Sequence, residues 1–343
     1  PWLGFLAGGG CDSGMNQALR SFREAYQRNL SSALAKLQAA ARLTALLGAD
    51  GIRCVMMRGA FSGHRYFGDI GLRLCEDIDI LIPASSRDRA LDVLLNAGYI
   101  LDNQGLPDNF FRRHAQHWAV RDPATSLMLE IHWRLDHPFA LHRMDHEGVM
   151  RRAEHATIEG YEFFRAELHD DILMMCAHLD KHNRSAGMDS QIHESDAPWL
   201  AEQGVLYAWL DIALAIERNP GLLDLNILIE RAERQGLTQA VFTTLQSVVH
   251  LWQGPQSRRL LDDWTQREPR RLHSGQRRLW ARKRAPIHSV KHTSADYWGF
   301  CFPPASYFRP LQGLSLFFAR LGHAGAAFWK IGCSVLDAWA LKR

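Results

Sequence analysis

Two acidic residues stand two positions apart at the start of an apolar run, a pattern that is typical of metal-ligating and catalytic sites. Asp77 and Asp79 lead into the segment 78–82, which is rich in isoleucine and ends at Pro83. Such β-branched residues predict a strand of a central sheet. Side chains two apart on a strand share a face, so both carboxylates point the same way. Neighbouring carboxylates repel each other and resist burial, and a cation held between them would remove both difficulties.

A second predicted strand supplies a third carboxylate. Apolar and polar side chains alternate along it: Leu129, Glu130, Ile131, His132, Trp133 and Arg134. If the two strands are neighbours, Glu130 converges with Asp77 and Asp79 on one patch. Carboxylate oxygens are ligands that Mg²⁺ prefers, often together with substrate phosphates, and paired ions can clamp a phosphoryl centre. These three acids are therefore predicted to be catalytic residues and metal ligands, with Mg²⁺ as the expected ion and Mn²⁺ as its alternative.

A glycine and three arginines close to the acids could hold phosphates. Gly59 follows a predicted short buried strand, and glycine lets the backbone approach a phosphate closely. Arg58, Arg73 and Arg134 could bind phosphate oxygens with two parallel hydrogen bonds. The combination fits group transfer on a nucleoside triphosphate, in which the protein supplies metal, positive charge and positioning. The competing interpretation is a pair of edge-strand acids in surface salt bridges.

The helices and strands that carry these residues can be predicted from the spacing of apolar residues. Helices are expected over 14–48 and 85–99, the second capped by Ser85 or Ser86 and ended by Gly98, and a hairpin over 117–136. After about residue 165 the pattern is helical. We therefore expect an α+β fold with a small mixed sheet flanked by helices. It divides into an N-terminal helical segment (1–48), an α/β core (49–165) and a large C-terminal helical domain (166–343).

Composition excludes some partners. The net charge of +3 creates no global field that argues for stable nucleic-acid binding. The basic stretch 270–286 is interpreted as a solvated face or linker, with phosphate contact as the alternative. Six scattered cysteines without a C-x-x-C pair predict a reducing, cytoplasmic location. We expect no membrane span; residues 313–343 predict an amphipathic helix packed on the body, with docking to a membrane surface as the alternative.

The stretch 58–99 resembles the core of a nucleotidyltransferase family with a polymerase-β-like fold. It has a basic residue and glycine after the first strand, an aromatic-rich loop, an arginine before an Asp-x-Asp strand, and a helix ending in Gly-Tyr. "LEIHWRL" (129–135) is similar to the family's later acidic strand. The segments 168–182 and 209–213 resemble its helical region, and 302–310 its C-terminal end. The resemblance covers about residues 40–325.

The resemblance implies a role for each matching residue. Asp77 and Asp79 would hold the metals, Glu130 would be the third acid, Gly59 would mark the phosphate-binding turn, and Arg73 would precede the acids. Arg58 stands where the family has lysine. Ala60 stands where related transferases have serine or glycine, and Ser62 would supply the hydroxyl instead.

The implied activity is magnesium-dependent transfer of a nucleoside monophosphate from a nucleoside triphosphate to an unidentified acceptor. That acceptor could be a small metabolite, a peptide or a protein, because such proteins often resemble accessory enzymes of bacterial biosynthetic clusters. Glu130 could ligate the metal on the attacking side or act as general base. The alternative function is a non-catalytic nucleotide- or peptide-binding module on the same fold.

Residues on two later predicted helices complete the set of candidates. His178 and His182 lie four apart, which could suggest a zinc hydrolase, but Leu179 stands where H-E-x-x-H has its glutamate. A second interpretation is that both histidines are partly buried and join the helices to the sheet. A third is that His178, Lys181 or His182 lines the cleft and contacts the nucleotide or the acceptor. We nominate Lys181 and His182 as nucleotide contacts. Asp211, on a mostly apolar helix, is expected to be the buried partner of a histidine or arginine. Core packing is expected for Trp118, Trp133, Trp199 and Trp209.

Overall fold

The computed structural model describes residues 13–75, 77–102, 116–136, 142–185 and 206–267. The strands are β1 (Val55–Met57), β2 (Asp79–Leu81), β3 (Ile100–Leu101), β4 (His117–Arg121), β5 (Met128–His132), β6 (Glu154–Ile158) and β7 (Tyr161–Arg165). The helices are α1 (Ser13–Ala49), α2 (Ala60–Ser62), α3 (Arg87–Asn96), α4 (His146–Arg152), α5 (Leu168–Ser185), α6 (Leu206–Glu217), α7 (Leu225–Gln235), α8 (Thr238–Trp252) and α9 (Pro255–Arg267).

The strands form one mixed sheet with the order β3-β4-β5-β2-β1-β7-β6. The β2–β5 and β1–β7 pairs are parallel, and the other neighbouring pairs are antiparallel. The sequence prediction of an α+β fold with a mixed sheet flanked by helices is therefore confirmed. The acid-bearing strand β2 lies in the middle of the sheet, with β1 on one side and the second acidic strand β5 on the other.

One face of the sheet packs against α1 and α3. Its apolar residues belong to a buried cluster that also contains Leu37, Ala40 and Leu43 of α1 and Leu94 of α3. The side chains of the predicted apolar face all join this cluster: Ile78, Ile80, Ile82, Leu129, Ile131 and Trp133. The period-2 alternation predicted for both acidic strands is confirmed, since the intervening polar residues must then lie on the opposite face.

The opposite face of the sheet is covered by helices α5 to α9, which we call the helical half of the chain. Val55, Met57 and Leu81 share a second buried cluster with Ile172 and Met175 of α5 and with residues of α6 to α9. Asp79 and Glu130 occupy this same face, because Asp79 pairs with Met57 and Glu130 across the sheet. The acids therefore face the space between the sheet and the helical half.

A buried polar contact fixes the start of α5 beside the segment that follows β1. The hydroxyl of Tyr66 donates to Oδ2 of Asp171 over 2.5 Å, and Nη1 of Arg65 donates to the carbonyl of Ala166 over 2.7 Å. Tyr66 and Asp171 are both buried. Because unpaired polar groups are costly in such surroundings, these bonds hold the helix in one position over the sheet.

Local details differ from the sequence predictions in three places. β2 has three residues, although Ile82 N still donates to the carbonyl of His132 over 2.8 Å beyond its end. Ser86 occupies the N-cap position of α3 but makes no side-chain capping bond, so that expectation is wrong for Ser86. The β6–β7 hairpin was not predicted; it turns through Glu159 and Gly160, which both have positive φ.

The hairpin predicted over 117–136 is confirmed as β4 and β5. Asp122 closes its turn, since its carboxylate accepts from Ala124 N over 3.2 Å and from the Thr125 hydroxyl over 2.5 Å. Trp118, Trp133 and Trp209 are buried, as expected, whereas Trp199 lies outside the described residues.

The predictions for 270–286, 302–310 and 313–343 also lie outside the described residues. Among the helices that the structure does describe, we find none with the length and apolar character needed to cross a bilayer.

Candidate active site

Three carboxylates meet where β2 and β5 run side by side. Asp79 is in register with Glu130, and Asp77 lies two residues before Asp79. One oxygen from each of the three residues lies within 4.8 Å of the others. Asp77 reaches solvent, Glu130 is half-buried and Asp79 is buried. The structure therefore brings together the three acids that the sequence selected, on the face that looks towards the helical half.

Asp79 is the most strongly paired of the three acids. Nη2 of Arg58 lies 2.6 Å from its Oδ2, and Nε2 of His132 lies 2.9 Å from its Oδ1. Burial opposes the charged form, but Arg58 and His132 outweigh it and lower the pKa of Asp79 well below its ordinary value. Asp79 is therefore ionised throughout the physiological range, as a metal ligand must be.

His132 is a residue of the site that sequence reasoning did not nominate. It follows Glu130 by two positions on β5, and its Nε2 is 3.3 Å from Oε2 of Glu130. Burial would lower its pKa, but hydrogen bonds to Asp79 and Glu130 raise it. The available signal was the strand alternation itself, which places His132 on the same face as Glu130.

Asp77 and Glu130 have opposite electrostatic surroundings. Burial of the carboxyl group and the nearby negative charge of Asp79 raise the pKa of Asp77. The hydrogen bond from His132 lowers the pKa of Glu130, with His117 as a further positive influence. The charged form of Asp77 is therefore disfavoured, whereas the charged form of Glu130 is favoured and is a weak base.

A glycine turn lies directly against the segment that leads to the acids. Gly59 has φ +60° and ψ −131°, and the preceding Arg58 has φ +46°. A Cβ at Gly59 would lie 2.9 Å from Sγ of Cys75 and 3.4 Å from the carbonyl oxygen of Asp77. The predicted turn is thus present, and only glycine allows this close approach without strain.

The segment before Asp77 is also held from behind by α1. Lys36 is buried and its Nζ donates to the carbonyl oxygen of Cys75 and, over 2.8 Å, to the hydroxyl of Ser32. The thiol of Cys75 donates to the carbonyl oxygen of Asp77 over 3.0 Å. Lys36 was not selected from the sequence because a single lysine in a helical block looks like an ordinary surface residue.

We expect Gly59→Ala to lower the free energy of unfolding by at least about 1–3 kcal/mol, because alanine is strained at this φ and its Cβ meets Cys75. Gly48→Ala is the matched control, since Gly48 lies in α1 with open space around it and no positive φ. Alanine there should be neutral or stabilising by about 0.4–1 kcal/mol. Urea unfolding of both variants tests this, and equal stabilities would contradict it.

Arg73, a predicted phosphate contact, forms an ion pair with a residue of α6. Arg73 donates to Asp211 on α6 through Nε over 3.0 Å and through Nη2 over 2.8 Å, and to the carbonyl of Leu74 through Nη1. The expectation that Asp211 is a buried partner of an arginine or histidine is confirmed. The guanidinium of Arg73 thus joins the strand region to the helical half.

Two predicted phosphate contacts, Ser62 and Arg134, are not among the residues that line the cleft beside Asp77 and Asp79. Ser62 is 2% exposed, and its hydroxyl has no hydrogen-bond partner within the described part of the chain. Arg134 is exposed just beyond the end of β5. Lys181 and His182 lie on α5, but their side chains are outside the described residues, as is any zinc site that His178 would form with His182.

Asp77 and Asp79 form part of the wall of an open cleft of about 90 Å³. The sheet side contributes Arg58, Gly59, Arg73, Asp77 and Asp79. The helical half contributes Met175, His178, Ala208 and Asp211. His178 lies near enough to help lower the pKa of Asp79. The arrangement combines oxygen donors for a divalent cation with guanidinium groups, which suits a polyphosphate ligand.

Comparison with known proteins agrees with this chemistry. A family model described as "Uncharacterised nucleotidyltransferase" matches residues 6–253. No curated protein matches the sequence significantly.

Two solved structures show a distant similarity. The solution structure of the antibiotic-resistance factor ANT(2'')-Ia is 11% identical, with a TM-score of 0.32, covering 55% of this chain and 95% of that one. The crystal structure of an antigenic nucleotidyltransferase-like protein from Paracoccidioides brasiliensis is 14% identical, with a TM-score of 0.35, covering 65% of this chain and 89% of that one.

Proposed function

Since the chain belongs to this family of nucleotidyltransferases, we propose that it transfers a nucleoside monophosphate from a nucleoside triphosphate to an acceptor, using a divalent cation held by Asp77, Asp79 and Glu130. The observation that carries the proposal is the convergence of these three carboxylates from two neighbouring strands, two of which, Asp77 and Asp79, line one cleft. The acceptor is a small metabolite, a peptide or a protein that presents a hydroxyl or phosphate oxygen.

The donor set suits a hard cation. All three donors are oxygens, which Mg²⁺ prefers and Mn²⁺ accepts. The raised pKa of Asp77 supports this, because desolvation and then the negative charge of Asp79 disfavour its charged form, which a bound cation would favour. When bound, a divalent cation would polarise the α-phosphate and offset the charge of the leaving pyrophosphate.

The reaction forms one bond to phosphorus and breaks another. An acceptor oxygen attacks the α-phosphorus, the bond to the oxygen that bridges the α- and β-phosphates breaks, and pyrophosphate leaves. The lowered pKa of Glu130 makes its carboxylate a weak proton acceptor, which favours a ligand role over the general-base role that the sequence left open. Arg58 and His178 line the same cleft, and Arg58 would place positive charge beside the triphosphate.

Arg58 must serve two partners in this proposal. In the structure its guanidinium pairs with Asp79, so the positive charge that the sequence assigned to the nucleotide neutralises a metal ligand. We propose that arriving metal and triphosphate compete for this pair, with Arg58 turning from Asp79 towards the phosphates.

The proposed function is tested by pyrophosphate release from full-length protein given the four ribonucleoside triphosphates, Mg²⁺ and pooled acceptors. Radiolabel from α-labelled nucleotide should appear in the acceptor fraction at the same rate. Release that continues unchanged in EDTA would contradict a metal-dependent transfer.

The buried hydroxyl of Ser62 is one observation that favours the second candidate, a nucleotide-binding module without catalysis. A triphosphate held at Gly59 would lack the hydroxyl contact that Ser62 was expected to supply. Nucleotide binding by calorimetry, with no pyrophosphate released from any acceptor pool, would establish this alternative.

The role of Arg73 can be separated from that of the ion pair it forms. We expect Asp211→Leu alone to destabilise the protein, because the mostly buried guanidinium of Arg73 then loses its carboxylate partner and retains its bond to the carbonyl of Leu74. Arg73→Met/Asp211→Leu should recover about 1–3 kcal/mol of the loss. If Arg73 also binds phosphate, the folded double variant will still bind a non-hydrolysable nucleoside triphosphate less tightly than the wild type. Additive single and double effects on unfolding would show that the pair contributes nothing.

A further inference from the structure

A second group of donor atoms adjoins the three acids, and it contains two histidines. Nε2 of His132 is 3.3 Å from Oε2 of Glu130, and Nε2 of His117 is 3.7 Å from the same oxygen. One donor atom from each residue lies within 4.8 Å of the other two. The β4–β5 pairing produces this arrangement, because His117 is directly opposite His132 and their rings are 4.9 Å apart.

These distances suit an ion that prefers imidazole. Tetrahedral ligands at about 2.0–2.1 Å from a zinc-like ion stand about 3.3–3.4 Å from one another, so the observed separations from Glu130 need little adjustment. Two imidazoles and one carboxylate favour zinc, cobalt or iron over magnesium. His132 is buried, whereas His117 and Glu130 are partly exposed, which gives an ion a route from solvent.

We propose that His117, Glu130 and His132 form a second cation site, selective for transition metals and joined to the acid site through Glu130. The proposal deepens the proposed function and rests on it only for the part that the ion would play in transfer; binding of the ion stands on its own geometry. The competing interpretation is that His132 merely bridges Asp79 and Glu130 by hydrogen bonds. In that case His117 is dispensable for metal binding.

The test is titration of full-length protein with CoCl₂, without nucleotide, followed by calorimetry and by the visible absorption of the bound ion. We expect one tight site in the wild type and a Kd at least about tenfold weaker in His117→Gln. His155→Gln is the matched control, because His155 also contacts a carboxylate, Glu162 at 2.8 Å, on a neighbouring strand. Its Kd should equal that of the wild type.

Two further measurements keep the outcomes distinct. Asp77→Asn should lose pyrophosphate release yet retain Co²⁺ binding. Absence of transfer activity would therefore not count against the histidine site, and absence of Co²⁺ binding would not count against transfer. X-ray absorption of the Co²⁺-loaded wild type should show two imidazole ligands, which needs no variant. An all-oxygen shell, or unchanged Co²⁺ affinity in a folded His117→Gln, would overturn the proposal.

Discussion

Asp77→Asn is expected to lower the rate of pyrophosphate release by about 10²–10³-fold while making the metal-free protein slightly more stable. The loss follows from removing one of the three proposed oxygen ligands, a side chain that lines the cleft. The gain follows from the raised pKa of Asp77, since a neutral amide avoids the desolvation that chiefly disfavours the charged form and also the repulsion from Asp79. Opposite effects on rate and stability are typical of residues kept for function.

The comparison requires both rate and stability on the same preparations. Thermal unfolding in EDTA should give a higher midpoint for Asp77→Asn, and the rate is measured with saturating Mg²⁺ and nucleotide. Asp92→Asn, an exposed acid on α3, is the matched control and should change neither quantity. A wild-type rate in Asp77→Asn would remove the case for a metal site at these acids.

Arg58→Met is expected to lower the free energy of unfolding of the metal-free protein by about 3–5 kcal/mol. Asp79 is 3% exposed, and the substitution removes the guanidinium 2.6 Å from its Oδ2, leaving the contact with His132 and the weaker electrostatic influence of His178. Arg58→Lys keeps the charge and should lose less. Arg58→Met/Asp79→Asn should recover part of the loss, because no buried carboxylate then lacks its counter-charge.

The pH dependence of this effect has a definite sign. The pKa of Asp79 is lower in the folded protein than in the unfolded chain, so its pairing stabilises the protein above about pH 4 and this contribution declines as the pH falls. The difference between wild type and Arg58→Met should therefore narrow below about pH 4. Chemical unfolding at pH 7 and pH 3 measures it, and a loss under about 1 kcal/mol at pH 7 would contradict the buried pair.

The carboxylate partners of the two arginines predicted to bind phosphate could not be predicted from the sequence. Arg58 and Arg73 were selected for their charge and their closeness to the acids, and both do line the cleft. Each also has a carboxylate partner, Asp79 for Arg58 and Asp211 for Arg73. Asp211 follows Arg73 by 138 residues, so no local pattern could reveal that contact.

Features that depend on local backbone geometry could be predicted from the sequence. A strand alternates its side chains with period two, which placed Asp77 with Asp79 and Glu130 with His132 on common faces. Glycine is the residue that tolerates the positive φ and close contact found at Gly59, so its turn could also be expected. These features need no knowledge of which strands are neighbours.

Which charged side chains lie close together depends on the tertiary structure. The strand order sets β5 beside β2 and β4 beside β5, which brings Glu130 to Asp79 and His117 to Glu130. The helical half then closes over that face and supplies His178 and Asp211 to the cleft. The free energy of a buried charge depends on partners within a few ångströms, and those partners come from distant parts of the chain that folding alone brings together.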